Sequence, residues 1–518
     1  MNEASAAVRL EQALSAFTPD KPGLAVLVTV GGEVVFERYL GGADLEHGAP
    51  VTAATRFHVA SVSKQFTAFA ALLEANAGRL DLGADIHAYL PELADYGDVV
   101  TVSDLVHHTG GLRDQWDLMR LSGTPLDGLI KQGAIVAMAA RQKGLNFEPG
   151  TDYHYSNTGY SLLAEIVRRT SRKGFAQYLE EAVFAPLGMR DTLVYGDATQ
   201  LLRDRAMSYR LDADGTVRLA RLNYSNYGAT SLNTTPRDLA KWTRELLHPS
   251  VFPADLITKM TTPGTLRDGT PMNYGFGIVR DLLWGRPALT HGGGDAGYAA
   301  LCDSYPDDDA SVIVFSNGQA DVATIGRALA DAFLAPGAPE GEPATPGRAA
   351  LERLAGYYVS GWGPGLTLRA EGGKLMASAG TAPVEAKFLA NGDFYVYSPT
   401  HAFSTRPDGG LAEAQGVGGI PVLHRRATRA QPSTADLVAL AGRYRCDEID
   451  STYQLTAAND GLTLSSMRFA PLKLAPGDHD AFDGPGLRLS VQRDEDGAAS
   501  GFTIATGRVR GLRFQKID

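Results

Sequence analysis

The chain has 518 residues, of which 44% are hydrophobic and 21% charged, and a formal net charge of -11. This length and composition predict a globular protein with two or three domains. The acidic balance argues against a nucleic-acid partner, and no apolar run is long enough to span a membrane.

The N-terminal segment lacks the basic start and uninterrupted apolar core of a secretory signal. Cys302 and Cys446 fall in different predicted domains, which fits free thiols in a reducing compartment. The 11 histidines show no metal-binding spacing. We therefore expect a cytoplasmic protein that needs no metal and no cofactor.

The first predicted elements are a β-hairpin and an apolar helix. Segments 24–30 and 33–38 flank a Gly-Gly pair that is typical of a tight hairpin turn. A helical pattern over 61–77 begins with Ser61-Val62-Ser63-Lys64. Serine and lysine three positions apart share one helix face, so the Lys64 amine can reach the Ser61 hydroxyl. Such a pair forms a nucleophile and its base if burial lowers the pKa of the lysine.

The same spacing also occurs in exposed helices, where the serine caps the helix and the lysine is solvated. A second segment, Tyr155-Ser156-Asn157, favours the chemical interpretation; it lies in a polar loop before the helical pattern 159–183. A tyrosine hydrogen-bonded to Lys64 can transfer a proton, and the Asn157 amide can hold a substrate carbonyl or the lysine. The alternative is a packed loop tyrosine followed by a helix-capping asparagine.

A third segment, His291-Gly292-Gly293-Gly294, follows an apolar run. Glycines allow close approach of the backbone, so the Gly294 N–H can join the Ser61 N–H in holding an oxyanion. The run also fits a dinucleotide-binding pattern, but a strand-like segment follows where that fold needs a helix. An oxyanion loop of the α/β-hydrolase kind would need a G-x-S-x-G elbow, which the chain lacks. A hairpin turn with an exposed histidine stays open as an alternative.

Further helices are predicted at 101–108, 236–247 and 320–334, and strands at 274–281, 298–304 and 311–317. Strands at both ends of this region predict one antiparallel sheet, flanked by helices and joined to a helical lobe. Ser61 would then lie between the sheet and the lobe.

The C-terminal third has a different character. A Pro-rich stretch at 336–349 predicts a linker, and short alternating segments then continue to the C-terminus. Leu354-Ala355-Gly356-Tyr357-Tyr358 recurs as Leu440-Ala441-Gly442-Arg443-Tyr444. This repeat predicts two small antiparallel β-barrels at 350–430 and 431–518, with one larger β domain as the alternative.

The ordered set S-x-x-K, Y-x-N and H-x-G resembles the three signatures of the penicillin-recognising serine hydrolases, which include class C β-lactamases, DD-peptidases, esterases and D-aminopeptidases. The resemblance implies a β-lactamase-like catalytic domain over 1–335. It implies catalytic roles for Ser61, Lys64 and Tyr155, and substrate or oxyanion contacts for Asn157, His291, Gly293 and Gly294.

The expected reaction is hydrolysis of amide or ester bonds through an acyl-enzyme. Histidine replaces the lysine of the third signature, which weakens recognition of a substrate carboxylate and favours an aminopeptidase-like, amidase or esterase activity. The two β modules resemble those of the family's D-stereospecific aminopeptidases, in which a loop of the last barrel limits access to the cleft. The corresponding segment 481–487 is shorter here and predicts an open cleft, with Asp478, Asp480 or Asp483 as candidate partners of a substrate ammonium.

Small peptides, amides or esters are therefore the expected substrates, with D-aminopeptidase-like cleavage preferred. An esterase or β-lactamase-like hydrolase remains as one alternative, and a silent peptide- or acyl-binding protein as another. No nucleic-acid or membrane partner is expected, and a homodimer is left open.

Overall fold

The computed structural model describes residues 3–334 and 342–517. Of the predicted linker 336–349, residues 336–341 lie outside the described part and residues 342–347 have no helix or strand. Its last two residues, 348 and 349, already belong to the helix Arg348–Leu354.

The N-terminal part of the chain is built on one antiparallel sheet. Its six strands run, from edge to edge, in the order Val279–Leu283, Arg286–Asp295, Tyr298–Tyr305, Ala310–Ser316, Leu24–Val30 and Glu33–Leu40. The N-terminal hairpin therefore pairs with the last strand of the region, as the sequence predicted.

The inner strand Leu24–Val30, next to the edge strand Glu33–Leu40, is apolar on both faces because both faces of the sheet are covered. Leu24, Val26 and Val28 pack with the two terminal helices of the domain. Ala25 and Leu27 point the other way, into the core shared with the helical lobe. The two-residue period of a strand thus divides one apolar run between two cores.

The helices of this region form the terminal pair and the lobe. Their bounds are Glu3–Leu14, Ser63–Asn76, Val102–His107, Gln115–Ser122, Gln132–Arg141, Asn157–Ser171, Phe175–Leu179, Ala185–Leu187, Pro236–Leu247, Ala254–Thr261 and Val322–Phe333. Short 3-10 turns occupy Ala60–Val62, Ile86–Ala88 and Pro306–Asp308, and a π-helical turn occupies Glu180–Phe184. The N-terminal region also contains short paired strands: Gly42–Asp44, Ala49–Pro50, Phe57–His58, Ile130–Lys131, Leu193–Val194, Tyr209–Leu211, Val217–Leu219, Tyr224–Ser225 and Leu232–Thr234.

Two predicted elements differ from the structure. The helix predicted over 159–183 ends at Ser171, because Arg172 adopts a left-handed conformation with φ of 57° and a new helix begins only at Phe175. The strand predicted over 274–281 begins only at Val279. Before it the chain turns at Gly277, whose φ is 73° and where a Cβ would lie 2.7 Å from the Lys64 carbonyl.

The first C-terminal module is a nearly closed barrel. The strand order is Val384–Glu385, Lys374–Ser378, Leu366–Glu371, Gly356–Val359, Val422–Ala427, Leu411–Glu413, Phe403–Thr405, Phe394–Tyr395 and Lys387–Phe388. The two end strands are consecutive in the chain and separated only by Ala386. The helix Arg348–Leu354 precedes the module, and a 3-10 turn lies at Pro399–His401.

The second module is a closed barrel preceded by the helix Thr434–Ala439. Its strands are Gly442–Cys446, Ser451–Ala458, Gly461–Ser466, Phe469–Pro476, Ala481–Gly484, Leu487–Arg493, Ala499–Ala505 and Leu512–Lys516.

The internal repeat has a structural counterpart in both barrels. In each, a short helix leads into the first strand, and that strand pairs with the last strand of the same barrel. Tyr358 and Tyr444 each donate a hydrogen bond to the carbonyl four residues earlier, at 2.9 and 2.7 Å. Two related β-barrels, as predicted, account for the repeat.

Candidate active site

Ser61 lies in the 3-10 turn Ala60–Val62, which leads directly into the helix Ser63–Asn76. Ala60 has a left-handed φ of 47°, so the backbone is strained immediately before the serine. Ser63 stabilises this turn, since its hydroxyl donates to the Ala60 carbonyl at 2.6 Å and accepts from the Leu232 N–H at 3.0 Å. Ser61 itself is partly exposed to the cleft.

Lys64 is fully buried one helical turn after Ser61. Its Nζ lies 3.1 Å from Ser61 Oγ, 2.8 Å from Asn157 Oδ1 and 2.9 Å from the Ala229 carbonyl oxygen. Burial holds the pKa of Lys64 well below its ordinary range, and the nearby Arg508 cation lowers it further. The predicted serine–lysine pair is therefore in contact and screened from water.

Tyr155 lines the cleft and lies beside Lys64, whose Nζ is 4.7 Å from the centre of the tyrosine ring. Burial raises the pKa of the Tyr155 phenol above its ordinary value, and the nearby Ser61 hydroxyl opposes that shift only in part. The ring of His108 packs on Tyr155 with a centroid distance of 4.3 Å.

Asn157 begins the helix Asn157–Ser171 and is 5% exposed. Its side-chain oxygen accepts from Lys64, so its amide nitrogen must point the other way. That nitrogen and the Asn157 backbone N–H both donate to Asp114 Oδ2, at 2.8 and 2.7 Å. The fully buried Asp114 thus fixes which end of the amide faces the lysine.

His291 lies on the strand Arg286–Asp295 and is 4% exposed. Its Nδ1 lies 2.7 Å from the Gly292 carbonyl and its Nε2 lies 3.1 Å from the Tyr274 hydroxyl. Because the carbonyl only accepts, Nδ1 donates to it and Nε2 accepts from Tyr274. Burial lowers the pKa of His291 to about 3, so the imidazole is neutral and both nitrogens are engaged within the protein.

The glycines after His291 lie on an unpaired strand edge. The neighbouring strand Val279–Leu283 pairs only as far as Thr290, so the following residues up to Asp295 pair on one side alone. A Cβ on Gly293 would lie 2.3 Å from the Val59 carbonyl and 3.1 Å from the Ser61 nitrogen. Gly294 has open space at the same position. The edge therefore passes directly beside the Ser61 N–H.

The sequence analysis missed three contributors to the site. Asp114 and His108 both lie in segment 107–116, which precedes the second signature, and neither stands in one of the three signatures that the sequence analysis used. Arg508 had no sequence signal. It lies in the loop between the last two strands of the second barrel, and its guanidinium carbon is 5.1 Å from the centre of the Tyr155 ring.

The segment of the last barrel that approaches the cleft is not 481–487, for which the sequence predicted a short segment and an open cleft. Segment 481–487 holds the strand Ala481–Gly484 and a tight turn into the strand Leu487–Arg493, and a Cβ on Gly380 of the first barrel would lie 2.3 Å from the Gly484 carbonyl. The cleft is instead approached by segment 506–511, which we call the barrel loop. Its Gly507 carbonyl accepts from His154, and its Arg508 carbonyl accepts from the Asp114 N–H at 3.2 Å.

The three aspartates proposed for a substrate ammonium are already paired within the barrels. Asp478 bonds to Arg425 and Arg488, and Asp483 bonds to Tyr357 and Arg488. Asp480 bonds to Arg493 at 2.7 and 2.8 Å. That expectation was wrong, because arginines of the barrels occupy these carboxylates.

A continuous cleft with a volume of about 2200 Å³ opens around Ser61. Its walls come from the catalytic domain at Trp116 and Asp295, from the first barrel at Trp362, and from the second barrel at Arg508. The nucleophile therefore faces a wide, open site in which all three parts of the chain take part.

The fold agrees with what the comparison with known proteins shows. A family model described as Beta-lactamase matches residues 9–335. A D-aminopeptidase of Gluconobacter oxydans is 30% identical over 86% of this chain and 84% of its own. A D-aminopeptidase of Brucella melitensis biotype 2 is 28% identical over 96% of both chains.

Among solved structures, the octameric penicillin-binding protein homologue from Pyrococcus abyssi superposes with a TM-score of 0.58 and 20% identity. The superposition covers 82% of this chain and all of the Pyrococcus abyssi chain. The chain thus belongs to the beta-lactamase family, and within it the chain is a serine hydrolase. Among the described residues, no helix has both the length and the apolar character needed to cross a bilayer.

Proposed function

We propose that this chain hydrolyses the amide bond of small D-aminoacyl amides and peptides, with Ser61 as the acylated nucleophile. The D-aminopeptidase relatives, which match nearly the whole chain, support this choice of substrate class. The observation that carries the proposal is the fully buried Lys64 amine 3.1 Å from the Ser61 hydroxyl.

In this scheme Lys64 is the base that activates Ser61. Two of its three contacts are the Asn157 side-chain oxygen and the Ala229 carbonyl, which can only accept hydrogen bonds. A neutral amine has two N–H bonds to give to them, which leaves its lone pair for the Ser61 hydroxyl. The lowered pKa of Lys64 favours this neutral form.

Tyr155 serves as the proton donor to the leaving group. Because burial raises the pKa of its phenol, Tyr155 stays protonated and is unsuited to be the base. As Ser61 Oγ attacks the carbonyl carbon, the hydroxyl proton passes to Lys64. Tyr155 gives its proton to the departing amine nitrogen and regains one from the Lys64 ammonium.

The negative oxygen of the tetrahedral intermediate is held by the backbone. The Ser61 N–H lies beside the unpaired strand edge that carries Gly294, so N–H groups from both segments can donate to one oxygen. Breaking the C–N bond leaves an ester on Ser61. Water then attacks that ester, with Lys64 taking the water proton and Ser61 Oγ regaining one.

His291 supports a substrate without an obligatory carboxylate. Its imidazole is neutral and both ring nitrogens are bonded within the protein, so it offers no charge to an acid group. Esters would use the same chemistry, and the wide cleft accepts them, so hydrolysis of small esters is the second candidate activity.

The first test is covalent labelling followed by a substrate panel. A fluorophosphonate should add one mass increment to the wild-type chain and none to Ser61→Ala, while Lys64→Ala should label roughly 10²- to 10⁴-fold more slowly. D- and L-alanine p-nitroanilides, p-nitrophenyl acetate and nitrocefin then rank the substrate classes. Labelling of Ser61→Ala, or turnover of nitrocefin alone, would contradict the proposal.

A further inference from the structure

Asp295 is a carboxylate at the edge of the catalytic cleft to which the proposed mechanism gives no role. It ends the strand that carries His291 and Gly293, and its side chain is 16% exposed. Alternate residues of a strand share one face, so Asp295 projects on the same side as Gly293. Its Cα lies about 7 Å further along the strand than the point where Gly293 passes the Ser61 nitrogen.

A second set of contacts ties Asp295 to the reacting groups. Asp295 Oδ2 accepts from the Thr230 hydroxyl at 3.0 Å, and the preceding residue, Ala229, accepts from Lys64 through its carbonyl at 2.9 Å. The carboxylate is close enough that it opposes the lowering of the Lys64 pKa. Asp295 is therefore held near the nucleophile from two independent segments.

The partners of Asp295 within the protein leave part of its hydrogen-bonding capacity unused. Oδ1 lies 3.3 Å from the Tyr224 hydroxyl, and Oδ2 lies 3.0 Å from the Thr230 hydroxyl and 3.4 Å from His58 Nε2. None of these three is a lysine or an arginine. A carboxylate offers about four acceptor positions, so a further donor from the cleft can be accommodated.

Two groups of opposite charge, Arg508 and Asp295, lie near the reacting groups. The Arg508 guanidinium lies over Tyr155, which we assign to the leaving-group side. We assign Asp295 to the acyl side, because the strand that it ends also carries the glycine edge proposed to hold the acyl carbonyl oxygen. In this assignment the positive group and the negative group serve different ends of the scissile bond.

We propose that Asp295 is the specificity-determining residue that binds the free α-amino group of the substrate as an ammonium ion. This rests on the proposed function, because an α-amino group is separated from the reacting carbonyl by a single carbon. It places the ammonium anchor on the catalytic strand and not on the second barrel, whose Asp478, Asp480 and Asp483 are paired with arginines.

The test compares D-alanine p-nitroanilide with its N-acetyl derivative, which lacks the positive charge. For the wild-type chain, kcat/KM should be higher for the free amine. In Asp295→Asn, which keeps the shape of the side chain, the ratio of the two kcat/KM values should fall roughly 10- to 100-fold, the range expected for a lost charge-assisted hydrogen bond. Asp295→Glu should retain more of the ratio than Asp295→Asn.

Asp281→Asn is the matched control, since it removes one negative charge from an exposed position on the rim of the same cleft. Its ratio should equal that of the wild type. Fluorophosphonate labelling of each variant checks that Ser61 is assembled, and the wild-type ratio tests the inference even if Asp295→Asn does not fold.

Three results would overturn the inference. An unchanged ratio in Asp295→Asn would make the residue structural only. A wild-type preference for the acetylated anilide would remove the ammonium anchor but leave amide hydrolysis standing. If neither anilide is cleaved while labelling persists, the proposed function falls and this inference falls with it.

Discussion

At the scale of single residues, two adjacent glycines have opposite constraints. A Cβ at Gly293 would lie 2.3 Å from the Val59 carbonyl, whereas Gly294 has nothing within 4 Å. Both were predicted from the sequence as one glycine-rich edge. The structure separates them, because strand residues alternate between the face towards Ser61 and the face away from it.

We expect Gly293→Ala to slow fluorophosphonate labelling at least about tenfold, because a shift of the strand edge displaces an oxyanion donor whose loss costs about 10²- to 10³-fold. Gly294→Ala serves as the matched variant and should label within about threefold of the wild type, since its methyl group displaces no backbone donor. Rates are measured by intact-mass spectrometry. Equal rates for the two variants would show that the edge does not need to approach Ser61 this closely.

At the scale of elements, the barrel loop contributes to the electrostatics of the site. It is held by hydrogen bonds from the catalytic domain: Arg113 donates to the Arg510 and Gly511 carbonyls, both at 3.0 Å. The Arg508 N–H donates in turn to Asp117 at 3.0 Å. These bonds present the Arg508 cation to the cleft, where it lowers the pKa of Lys64 in addition to the effect of burial.

Arg508→Ala should therefore shift the pH dependence of catalysis. Lys64 acts as a neutral base above its pKa, so activity falls as pH drops through that value. Removing Arg508 makes the ammonium form less unfavourable, which raises the pKa of Lys64 and moves the acid limb of kcat/KM to higher pH.

Arg508→Lys is the control for this prediction, because it keeps the charge and should shift the limb less. Profiles recorded with a p-nitrophenyl ester check both variants. An acid limb that stays in place, or that moves to lower pH in Arg508→Ala, would speak against an electrostatic role of the loop.

At the scale of the whole molecule, the two barrels are attached in different ways. Side chains of the second barrel, such as Tyr453 and Phe514, belong to the same hydrophobic core as the helical lobe. The first barrel has a core of its own around Tyr358 and Leu368. The second barrel lies further from the catalytic domain in sequence, yet it shares that domain's hydrophobic core, which the first barrel does not.

A buried ion pair joins the second barrel to the catalytic domain. Arg113 Nη1 lies 2.6 Å from Glu448 Oε2, and their side chains are only 4% and 11% exposed. Glu448→Ala would leave the arginine buried without its counter-charge. We expect a loss of about 3 kcal/mol in the free energy of unfolding, read from the urea midpoint.

Glu352→Ala provides the comparison, since Glu352 pairs with Arg348 on an exposed helix at 2.7 Å. Its cost should stay below about 1 kcal/mol because solvent screens such pairs. If both variants lost the same stability, the ion pair would not be what holds the second barrel in place.

The local sequence was sufficient to predict contacts between residues that are close to each other in the chain. Ser61 and Lys64 are one helical turn apart, so their contact follows from helix geometry. The hairpin pairing of the N-terminal strands and the two barrels followed from turn residues and from the internal repeat. The predictions for segments 274–281 and 159–183 were less accurate. Positive φ angles at Gly277 and Arg172 interrupt these two elements, whereas the sequence pattern continues through both positions.

The tertiary structure alone decided which charged groups meet the reacting atoms. Arg508 reaches Tyr155 from a part of the chain that no local pattern connects with it. Asp295 directly follows the third signature, but the sequence does not show that none of its three hydrogen-bond partners is a lysine or an arginine. Nor does it show that Asp478, Asp480 and Asp483 are all paired with arginines. The physical reason is that charge pairing depends on distances in space, whereas the signatures record only spacing along the chain.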